Sequence, residues 1–366
     1  MAVLNGTLMS KDTVICTVKN GIIAECNTQL LPLYLKRTGD MERWLSERAI
    51  DLHRVNSRLL KKALRLTSAD DLQTVLSVNA ATITDTYWFK EADSALTYDT
   101  IRFKENMFDT LALRGDPNGF SQKPSRTPEL TNIGSFEKCW RLIDGSWWMY
   151  KQGTDAEYFS ELFIYTLGNK LGFDMAYYEM DGGYIRTKDF TNGAVVNFES
   201  IDGMVGDDDN YEPCFRGIYE QSEELAIQYL EMIYMDTLCL NLDRHTKNFG
   251  VLRDVESGKI LKMAPNYDNN VALISRGTVN DISRKTDGLI EFFEEFVKGN
   301  EAAGKLYSEM DIPVVTVDII DECLKEIPIQ TDNEYIRAFI LNGQKRMAEI
   351  LGVDLNQEQA GTEMTM

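Results

Sequence analysis

The sequence predicts an α+β protein with two lobes, the first rich in β-strands and the second rich in helices, preceded by a small α/β region. Short alternating apolar runs joined by glycine-containing turns recur between residues 134 and 187, which is typical of antiparallel hairpins. One segment of helical periodicity, residues 157–171, separates them. From residue 289 to residue 351 the apolar spacing is mostly helical. This order of elements defines the predicted fold class.

The composition is that of a globular protein with a strong acidic excess. Of 366 residues, 43% are hydrophobic and 26% are charged, and 58 acidic against 38 basic residues give a formal net charge of −20. This charge disfavours binding to nucleic acid or to an anionic membrane, so we expect neither direct contact with nucleic acid nor membrane association. An anionic ligand would have to be bound by a few locally placed groups.

The cysteines form no Cys-x-x-Cys pair, so we expect reduced thiols and not a disulfide framework or a zinc site. No apolar segment follows Met1 as it would in a secretory signal peptide, and no apolar run reaches the length of a membrane span. These features predict a cytoplasmic protein. The six cysteines are Cys16, Cys26, Cys139, Cys214, Cys239 and Cys323.

Residues 1–115 are predicted to form an N-terminal accessory region. Apolar runs interrupted by Asn5-Gly6 and Asn20-Gly21 predict a small hairpin unit. Helical periodicity follows, with Asp70 near a predicted helix start, and the glycine- and proline-containing stretch after Arg114 predicts a loop at the boundary. The predicted helices of this region cover residues 40–48, 55–66 and 69–76.

The strand-rich lobe is predicted at residues 116–190 and the helical lobe at 191–355. The helix at 157–171 is expected to end at Gly172. Residues 356–366 are polar and are expected to be disordered. Further predicted elements are hairpins over 134–151 and 177–187, an acidic loop at 207–209, a helix over 222–240 and a hairpin turning at 256–258.

A polar loop from Asn241 to Gly250 follows an apolar helix and concentrates the groups that carry chemistry. Asp243 and Asn248 are five positions apart, and Asp268 follows a hairpin later. Two carboxylates and an amide in this order suit metal-assisted phosphoryl transfer, and their interval equals that of the protein-kinase catalytic loop. Taken singly, these residues are equally typical of polar caps on helices and turns.

Two upstream residues stand where a kinase places its nucleotide-binding pair. Lys151 ends the second strand of a hairpin, and Glu161 lies on the helix that follows. Lys151 has an alternative interpretation as a strand-end lysine that keeps its charge in solvent. Glu157 lies four residues before Glu161 on the same helical face and is an alternative partner for the lysine.

On these motifs the chain resembles the HipA-like serine/threonine kinases, with an accessory region like that of a subgroup of bacterial HipA-domain proteins. The resemblance extends from about residue 134 to residue 268. The residues that carry it are Asn241-x-Asp243-Arg244-His245-x-x-Asn248-Phe249-Gly250, Ala264-Pro265-x-Tyr267-Asp268, Gly134-Ser135-Phe136-Glu137-Lys138, Trp148-Met149-Tyr150-Lys151, and Ser160-Glu161 with Leu171-Gly172.

The resemblance implies a bilobal protein-kinase-like fold that binds ATP and Mg²⁺. Asp243 would orient or deprotonate the acceptor hydroxyl, and Asn248 and Asp268 would hold Mg²⁺. Lys151 would contact the α- and β-phosphates, with Glu161 positioning it.

Two further segments gain roles from the same resemblance. Gly134 and Ser135 would belong to the phosphate loop, and the lobe-connecting segment Lys188, Asp189 and Phe190 would contact adenine. A hydroxyl of the phosphate loop can be autophosphorylated in this family; Thr131 is the preferred candidate here and Ser135 the second.

The chain departs from the kinase pattern at three positions. The phosphate loop has a single glycine, Ser160 replaces the family's asparagine, and no Phe-Gly follows Asp268.

Two residues of the Asn241–Gly250 loop each have two possible roles. His245 is a catalytic base or, as we favour, a packed ring that orients the loop. Arg244 either binds phosphate or forms an ion pair that holds the loop.

The predicted function is transfer of the γ-phosphoryl group of ATP to a serine or threonine hydroxyl of a protein. A kinase for a small molecule or lipid headgroup is one alternative, because the same groups activate any hydroxyl. A nucleotide-binding pseudokinase or toxin–antitoxin-like interaction module is another, although such a module has no need of Asp243. The resemblance also allows an antitoxin-like protein partner.

Overall fold

The computed structural model describes residues 4–52, 54 and 56–351 and divides into two compact units. The first unit contains the described residues up to Gly153, together with Tyr177–Met204 and Gly250–Ala264. The second contains Thr154–Ala176, Val205–Phe249 and the described residues from Pro265 onward. The predicted domain boundaries at 115, 190 and 355 remain predictions. The residues on both sides of 115, and those on both sides of 190, belong to the first unit. The predicted disordered tail at 356–366 lies outside the described residues.

The strands of the described chain all belong to the first unit and pair antiparallel, which confirms the predicted α+β class. They are β1 (Gly6–Ser10), β2 (Thr13–Lys19), β3 (Ile22–Cys26), β4 (Tyr87–Glu91), β5 (Lys138–Ile143), β6 (Ser146–Lys151), β7 (Tyr178–Asp181), β8 (Tyr184–Lys188), β9 (Val196–Ser200), β10 (Gly250–Asp254) and β11 (Ile260–Met263).

The helices are distributed over both units. They are α1 (Leu33–Thr38), α2 (Met41–Ser46), α3 (Ser57–Ala63), α4 (Asp71–Leu76), α5 (Tyr98–Ile101), α6 (Asp109–Arg114), α7 (Asp155–Lys170), α8 (Asp202–Val205), α9 (Tyr211–Tyr219), α10 (Glu223–Cys239), α11 (Gly288–Gly299), α12 (Glu301–Glu309), α13 (Val317–Glu326) and α14 (Asn333–Leu351). Short 3-10 helices cover Pro117–Ser121 and Pro128–Thr131.

The predicted N-terminal hairpin unit is present as a sheet in the order β3-β2-β1-β4. The turn at Asn20-Gly21 is confirmed, since both residues adopt positive φ angles of 52° and 78°. Asn5-Gly6 was wrongly interpreted as an interruption, because Gly6 is the first residue of β1 and pairs with Val18 and Glu91. Strand β4 was not predicted.

The accessory helices are confirmed, each shorter than the periodicity suggested. The Asp70 carboxylate accepts a hydrogen bond from the Gln73 amide at 2.7 Å, which is the N-cap geometry expected for the start of α4. In α3 the apolar side chain of Leu60 is fully buried. Short helices of this kind depend on the core against which they pack.

The two hairpins of the predicted strand-rich lobe form one sheet in the order β5-β6-β8-β7. The first hairpin begins at Lys138 and not at Gly134, so residues 134–137 form a loop that leads into β5. A third sheet has the order β11-β10-β9, and β9 was not predicted. The Arg253 side chain on β10 pairs with Glu199 on β9 and donates to the Gln29 carbonyl at 2.8 Å, so the accessory region packs with these strands.

The second unit is helical, and its principal helices begin at the residues that the sequence favours. At α7, the Thr154 hydroxyl accepts from the Glu157 amide at 3.3 Å while the Glu157 carboxylate accepts from the Thr154 amide at 2.7 Å. Helix α7 ends before Gly172, which has a φ of 80°. Ser222 caps α10, the tail forms α11 to α14, and α9 was not predicted. No helix among the residues described is long and apolar enough to cross a membrane.

Candidate active site

The polar loop predicted to carry the chemistry begins where α10 ends. Leu240 adopts a left-handed conformation with a φ of 53°, and the Asn241 amide then donates to the Asp236 carbonyl at 2.8 Å. The Asn241 side-chain oxygen accepts from the Asp243 amide at 3.2 Å. This turn leaves Asp243 exposed next to Leu242, whose exposed fraction is 63%. Asp243 is therefore accessible from solvent.

Arg244 forms a buried two-pronged ion pair with Asp236 of α10. Its Nε and Nη2 atoms each donate to one carboxylate oxygen at 2.8 Å, and the two side chains are 5% and 1% exposed. Burial, the largest single effect, lowers the pKa of Arg244, but the attraction and hydrogen bonding of Asp236, together with the attraction of Asp268 and Tyr267, outweigh it and raise the pKa above its ordinary value. Arg244 therefore takes the second of its two predicted roles, as an ion pair that holds the loop.

The same guanidinium joins the loop to the segment that contains Asp268. Nη1 donates to the carbonyls of Asn248 at 3.0 Å and Tyr267 at 2.8 Å. Nη2 donates to the side-chain oxygens of Asn266 at 2.9 Å and Asn269 at 2.7 Å. Both flanks of Asp268 are thus tied to the loop that carries Asp243 and Asn248.

Asn248 and His245 hold the loop from within. The Asn248 side-chain oxygen accepts from the His245 amide at 3.0 Å, and its side-chain nitrogen donates to the Asp243 carbonyl. The His245 ring is half-buried, and its Nδ1 atom accepts from the Lys247 amide at 3.2 Å. This geometry favours the predicted orienting role for His245 over that of a catalytic base.

A residue of helix α7 binds the backbone next to Asp268. Asp268 has a φ of 63°, a conformation that aspartate tolerates better than most residues. The next amide, that of Asn269, donates to the Glu161 carboxylate at 2.9 Å, and Glu161 is fully buried. Glu157 instead caps its own helix with Thr154, so its carboxylate already has a structural role. The pairing of Glu161 with Lys151 remains a prediction.

The donor atoms available at this site fit Mg²⁺. A side-chain amide oxygen carries two lone pairs, and His245 uses one of those on Asn248. Asp268 supplies carboxylate oxygens. Across the residues described here, no group of three or more His, Cys, Asp or Glu side chains is arranged to hold a metal ion. A site with one carboxylate and one amide is nevertheless characteristic of Mg²⁺, which keeps several waters and takes further oxygens from substrate phosphates.

The residues predicted to contact the nucleotide phosphates lie in the first unit. Lys151 is the last residue of β6, and its Nζ atom stands 5.7 Å from the centre of the Tyr178 ring. Gly134 has a φ of 111°, which side-chain-bearing residues rarely adopt, and Ser135 is exposed. The single glycine of the phosphate loop therefore occupies the position whose backbone needs one.

A buried ion pair anchors both ends of the phosphate loop. The Arg54 and Glu129 side chains, both fully buried, approach to 3.3 Å. Glu129 accepts from the Asn132 side chain at 2.9 Å and from the Trp140 amide at 2.7 Å. Arg54 donates to the carbonyl of Lys138. The residues on both sides of the segment 133–137 are therefore held in place by this buried ion pair.

The two candidates for autophosphorylation differ in accessibility. Thr131 belongs to a 3-10 helix and is buried, and its hydroxyl donates to the carbonyls of Ala81 at 2.7 Å and Pro128 at 3.2 Å. Ser135 lies in the exposed part of the phosphate loop. In this conformation the preferred candidate is inaccessible and the second candidate is accessible.

The predicted adenine-contacting segment forms a capped turn after β8. The Asp189 carboxylate accepts from the Thr191 amide at 2.9 Å and the Gly193 amide at 2.6 Å. Burial raises the pKa of Asp189, and these hydrogen bonds oppose the rise. Lys188 is exposed, and Phe190 packs edge-on against Phe198. The Asp189 side chain is therefore structural. The Asp189 amide also donates to the Trp147 carbonyl at 3.0 Å, and the Asp189 carbonyl accepts from the Asn192 amide at 3.3 Å, so adenine contact by this segment remains a prediction.

Several residues that shape these sites were missed by sequence reasoning. Asp236 was treated as part of an apolar run, although a lone carboxylate inside such a run signals a buried partner. Asn266 and Asn269 had no assigned role, and each has a buried side-chain nitrogen without a hydrogen-bond partner within the described chain. Arg54 and Glu129 carry no local sequence signal.

Comparisons with known proteins bear on the fold. No protein-family model and no curated protein sequence matches the chain. A solved structure of HipA from the Shewanella oneidensis MR-1 toxin–antitoxin system, in complex with HipB and operator DNA, matches with a TM-score of 0.54 and 11% identity over 96% of this chain and 100% of that one. The Helicobacter pylori proinflammatory kinase CtkA matches with a TM-score of 0.47 and 17% identity over 63% of this chain and 95% of that one. The chain therefore has a HipA-like, kinase-like α+β fold.

Proposed function

We propose that this protein is an ATP- and Mg²⁺-dependent phosphotransferase that phosphorylates a serine or threonine hydroxyl of a protein. The observation that carries the proposal is the network centred on Arg244. It fixes the loop of Asp243 and Asn248 against the segment of Asp268, in a HipA-like fold. Phosphoryl transfer is catalysed chiefly by positioning and by electrostatic stabilisation, and a rigid polar network serves both.

Each side chain has a role that its environment supports. The exposed Asp243 carboxylate accepts the proton of the acceptor hydroxyl or aligns that hydroxyl for attack. The Asn248 side-chain oxygen and the Asp268 carboxylate hold Mg²⁺, which supplies positive charge to the transferring phosphates. Lys151 binds phosphate oxygens, with Gly134 and Ser135 in the phosphate loop, and the backbone near Asp189 binds adenine.

The acceptor is inferred from the surroundings of Asp243. Asp243 is exposed, and its neighbour Leu242 presents a large apolar side chain to solvent. A protein segment can cover such a side chain while it presents a hydroxyl to the carboxylate. We therefore favour a protein acceptor over a small molecule or a lipid headgroup.

An antitoxin-like protein partner is part of the proposal. The HipA structure of similar fold was solved with HipB and operator DNA. For the present chain, the net charge of −20 argues against direct contact with DNA, so a partner of this kind would bring its own DNA-binding surface.

The test is phosphoryl transfer from labelled ATP in the presence of Mg²⁺, to the protein itself or to proteins of a cell extract. Asp243→Ala should reduce transfer by about 10²–10⁴-fold, because it removes the general base or aligning group. Nucleotide binding should be retained. Lys247→Ala, an exposed change in the same loop, is the matched control and should keep wild-type transfer.

Three results would contradict parts of the proposal. Unchanged transfer in Asp243→Ala would remove Asp243 from the mechanism. Label in lipid or small-molecule fractions, with none in protein, would favour those acceptors. Tight nucleotide binding without any transfer would favour a regulatory pseudokinase.

A further inference from the structure

We infer that Ser160 and Glu161 together anchor the Asp268 segment to helix α7, and that Glu161 positions Asp268 for Mg²⁺ in addition to any contact with Lys151. The inference rests on the proposed function, since it concerns the Mg²⁺-binding segment of the same site. It assigns a positioning role to Ser160, which replaces the family's asparagine, and a second role to Glu161.

The geometry joins two successive helical residues to one short segment. The Ser160 hydroxyl donates to the Ala272 carbonyl at 2.7 Å and lies 2.9 Å from the Ala156 carbonyl of its own helix. The Glu161 carboxylate accepts from the Asn269 amide at 2.9 Å. Both side chains are fully buried, so water does not replace either bond. Helix α7 therefore holds both ends of residues 269–272.

Arg244 holds the preceding part of the same segment. It donates to the Tyr267 carbonyl at 2.8 Å and to the Asn269 side-chain oxygen at 2.7 Å. Asp268 thus lies between a backbone carbonyl bound to Arg244 and a backbone amide bound to Glu161. These flanking bonds maintain its φ of 63° and so fix the backbone from which its carboxylate projects.

Removing the Glu161 acceptor has a predictable consequence. The Asn269 amide would be buried without a partner, so the segment would rearrange to find one. Loss of a group that hydrogen-bonds to a metal-binding segment and orients it typically lowers metal affinity by about 10–100-fold. A role confined to Lys151 would instead weaken nucleotide binding even when no metal is present.

The experiment separates these two roles in the full-length protein. Binding of a fluorescent ATP analogue is measured first in EDTA and then across a MgCl₂ titration. Glu161→Met removes the acceptor with little change in volume, Glu161→Gln keeps a carbonyl oxygen that can accept from Asn269, and Ser160→Ala removes the second anchor. Thr166→Val is the matched control, because within the described part of the chain the Thr166 hydroxyl bonds only to the Leu162 carbonyl of its own helix, at 2.8 Å.

The quantity compared is the Mg²⁺ concentration that gives half-maximal enhancement of nucleotide binding. We expect Glu161→Met to raise this concentration about tenfold or more, and Ser160→Ala to raise it about threefold or more. Glu161→Gln should shift it less than Glu161→Met, and Thr166→Val should leave it unchanged. Metal-free binding should stay at the wild-type level in Ser160→Ala. Thermal unfolding identifies any variant that fails to fold, and Ser160→Ala, the smaller change, then carries the test.

Two results would overturn the inference. One is a wild-type Mg²⁺ half-point in Glu161→Met and Ser160→Ala. The other is a loss confined to metal-free binding in Glu161→Met, which would show that Glu161 acts through the nucleotide alone. Failure of the proposed function looks different, because wild-type protein would then show no Mg²⁺-dependent nucleotide binding at all.

Discussion

Arg244 joins three segments of the candidate site through a single side chain. Its guanidinium donates to acceptors on the end of α10, on the 241–250 loop and on the Asp268 segment. A planar fork of several N–H groups can bridge three segments in fixed directions, whereas a lysine ammonium offers a compact charge on a flexible stem. The shape of the Arg244 guanidinium is therefore as important to these contacts as its charge.

Arg244→Met should lower the free energy of unfolding by about 3–5 kcal/mol, because it leaves the buried Asp236 carboxylate without its partner. Arg244→Lys keeps the charge but should still lose stability, since it cannot reach all the acceptors. Chemical denaturation followed by fluorescence measures the effect. Lys247→Met, an exposed change in the same loop, should stay within about 0.5 kcal/mol of wild type. Equal stability of Arg244→Met and this control would contradict the assigned role.

Among the elements, the phosphate loop is defined by its anchors. Glu129 and Arg54 bind the residues at either end, and the Glu137 carbonyl also accepts from the Gln152 amide at 2.9 Å. Arg54 comes from the accessory region, so this region contributes directly to the loop's geometry. A loop with fixed ends and an exposed middle can move there without loss of the surrounding core.

Autophosphorylation of this loop, if the protein carries it out, should occur on Ser135 and not on Thr131. The Thr131 hydroxyl is buried and donates to two carbonyls, so a phosphate there would require the 3-10 helix to open. Incubation with ATP and Mg²⁺ followed by phosphopeptide mapping measures the site. Ser135→Ala should remove the modification, and Thr131→Val should retain it. Phosphate on Thr131 in Ser135→Ala protein would show that the helix opens.

For the whole molecule, the division into two units does not follow the order of the chain. The first unit combines the accessory region with strands from three later stretches, and buried pairs such as Arg253 with Glu199 join them. The accessory region is thus part of a larger folded unit and not a separate module. Its removal would take away the Tyr87 hydroxyl and the Gln29 carbonyl that bind Arg253, and would expose Trp140, Trp147 and Met149, which share a core cluster with residues of this region.

Thiol reactivity tests the packing of the whole molecule. All six cysteines are free, and Cys26 alone is exposed. Burial raises the pKa of Cys16 to about 11 and of Cys214 and Cys323 to about 12, which keeps these thiols protonated and unreactive at neutral pH. Iodoacetamide at pH 8 should therefore add one label to native protein and six to unfolded protein, as read by intact mass. Rapid labelling of more than one thiol in native protein would contradict the described core.

Local chemistry explains which parts of the structure could be predicted from sequence. The turn at Asn20-Gly21, the capping box of Thr154 with Glu157 and the Ser222 cap each involve residues within a few positions of one another. Such signals lie within short stretches of sequence, so the elements beside them can be predicted. Helix α7 was predicted from its apolar spacing alone, and it begins at Asp155 and not at residue 157. Strands β4 and β9 were missed because their stability comes from pairing with β1 and β10, far away along the chain.

By itself the sequence determined the α+β class, the principal helices and hairpins, and the spacing of Asp243, Asn248 and Asp268. Only the tertiary structure decided which distant residues hold the Asp268 segment and the phosphate loop in place. Glu161 bonds to an amide 108 positions away, and Arg54 pairs with a carboxylate 75 positions away. A polar side chain takes such a partner only because folding buries both groups, and burial is a property of the whole chain.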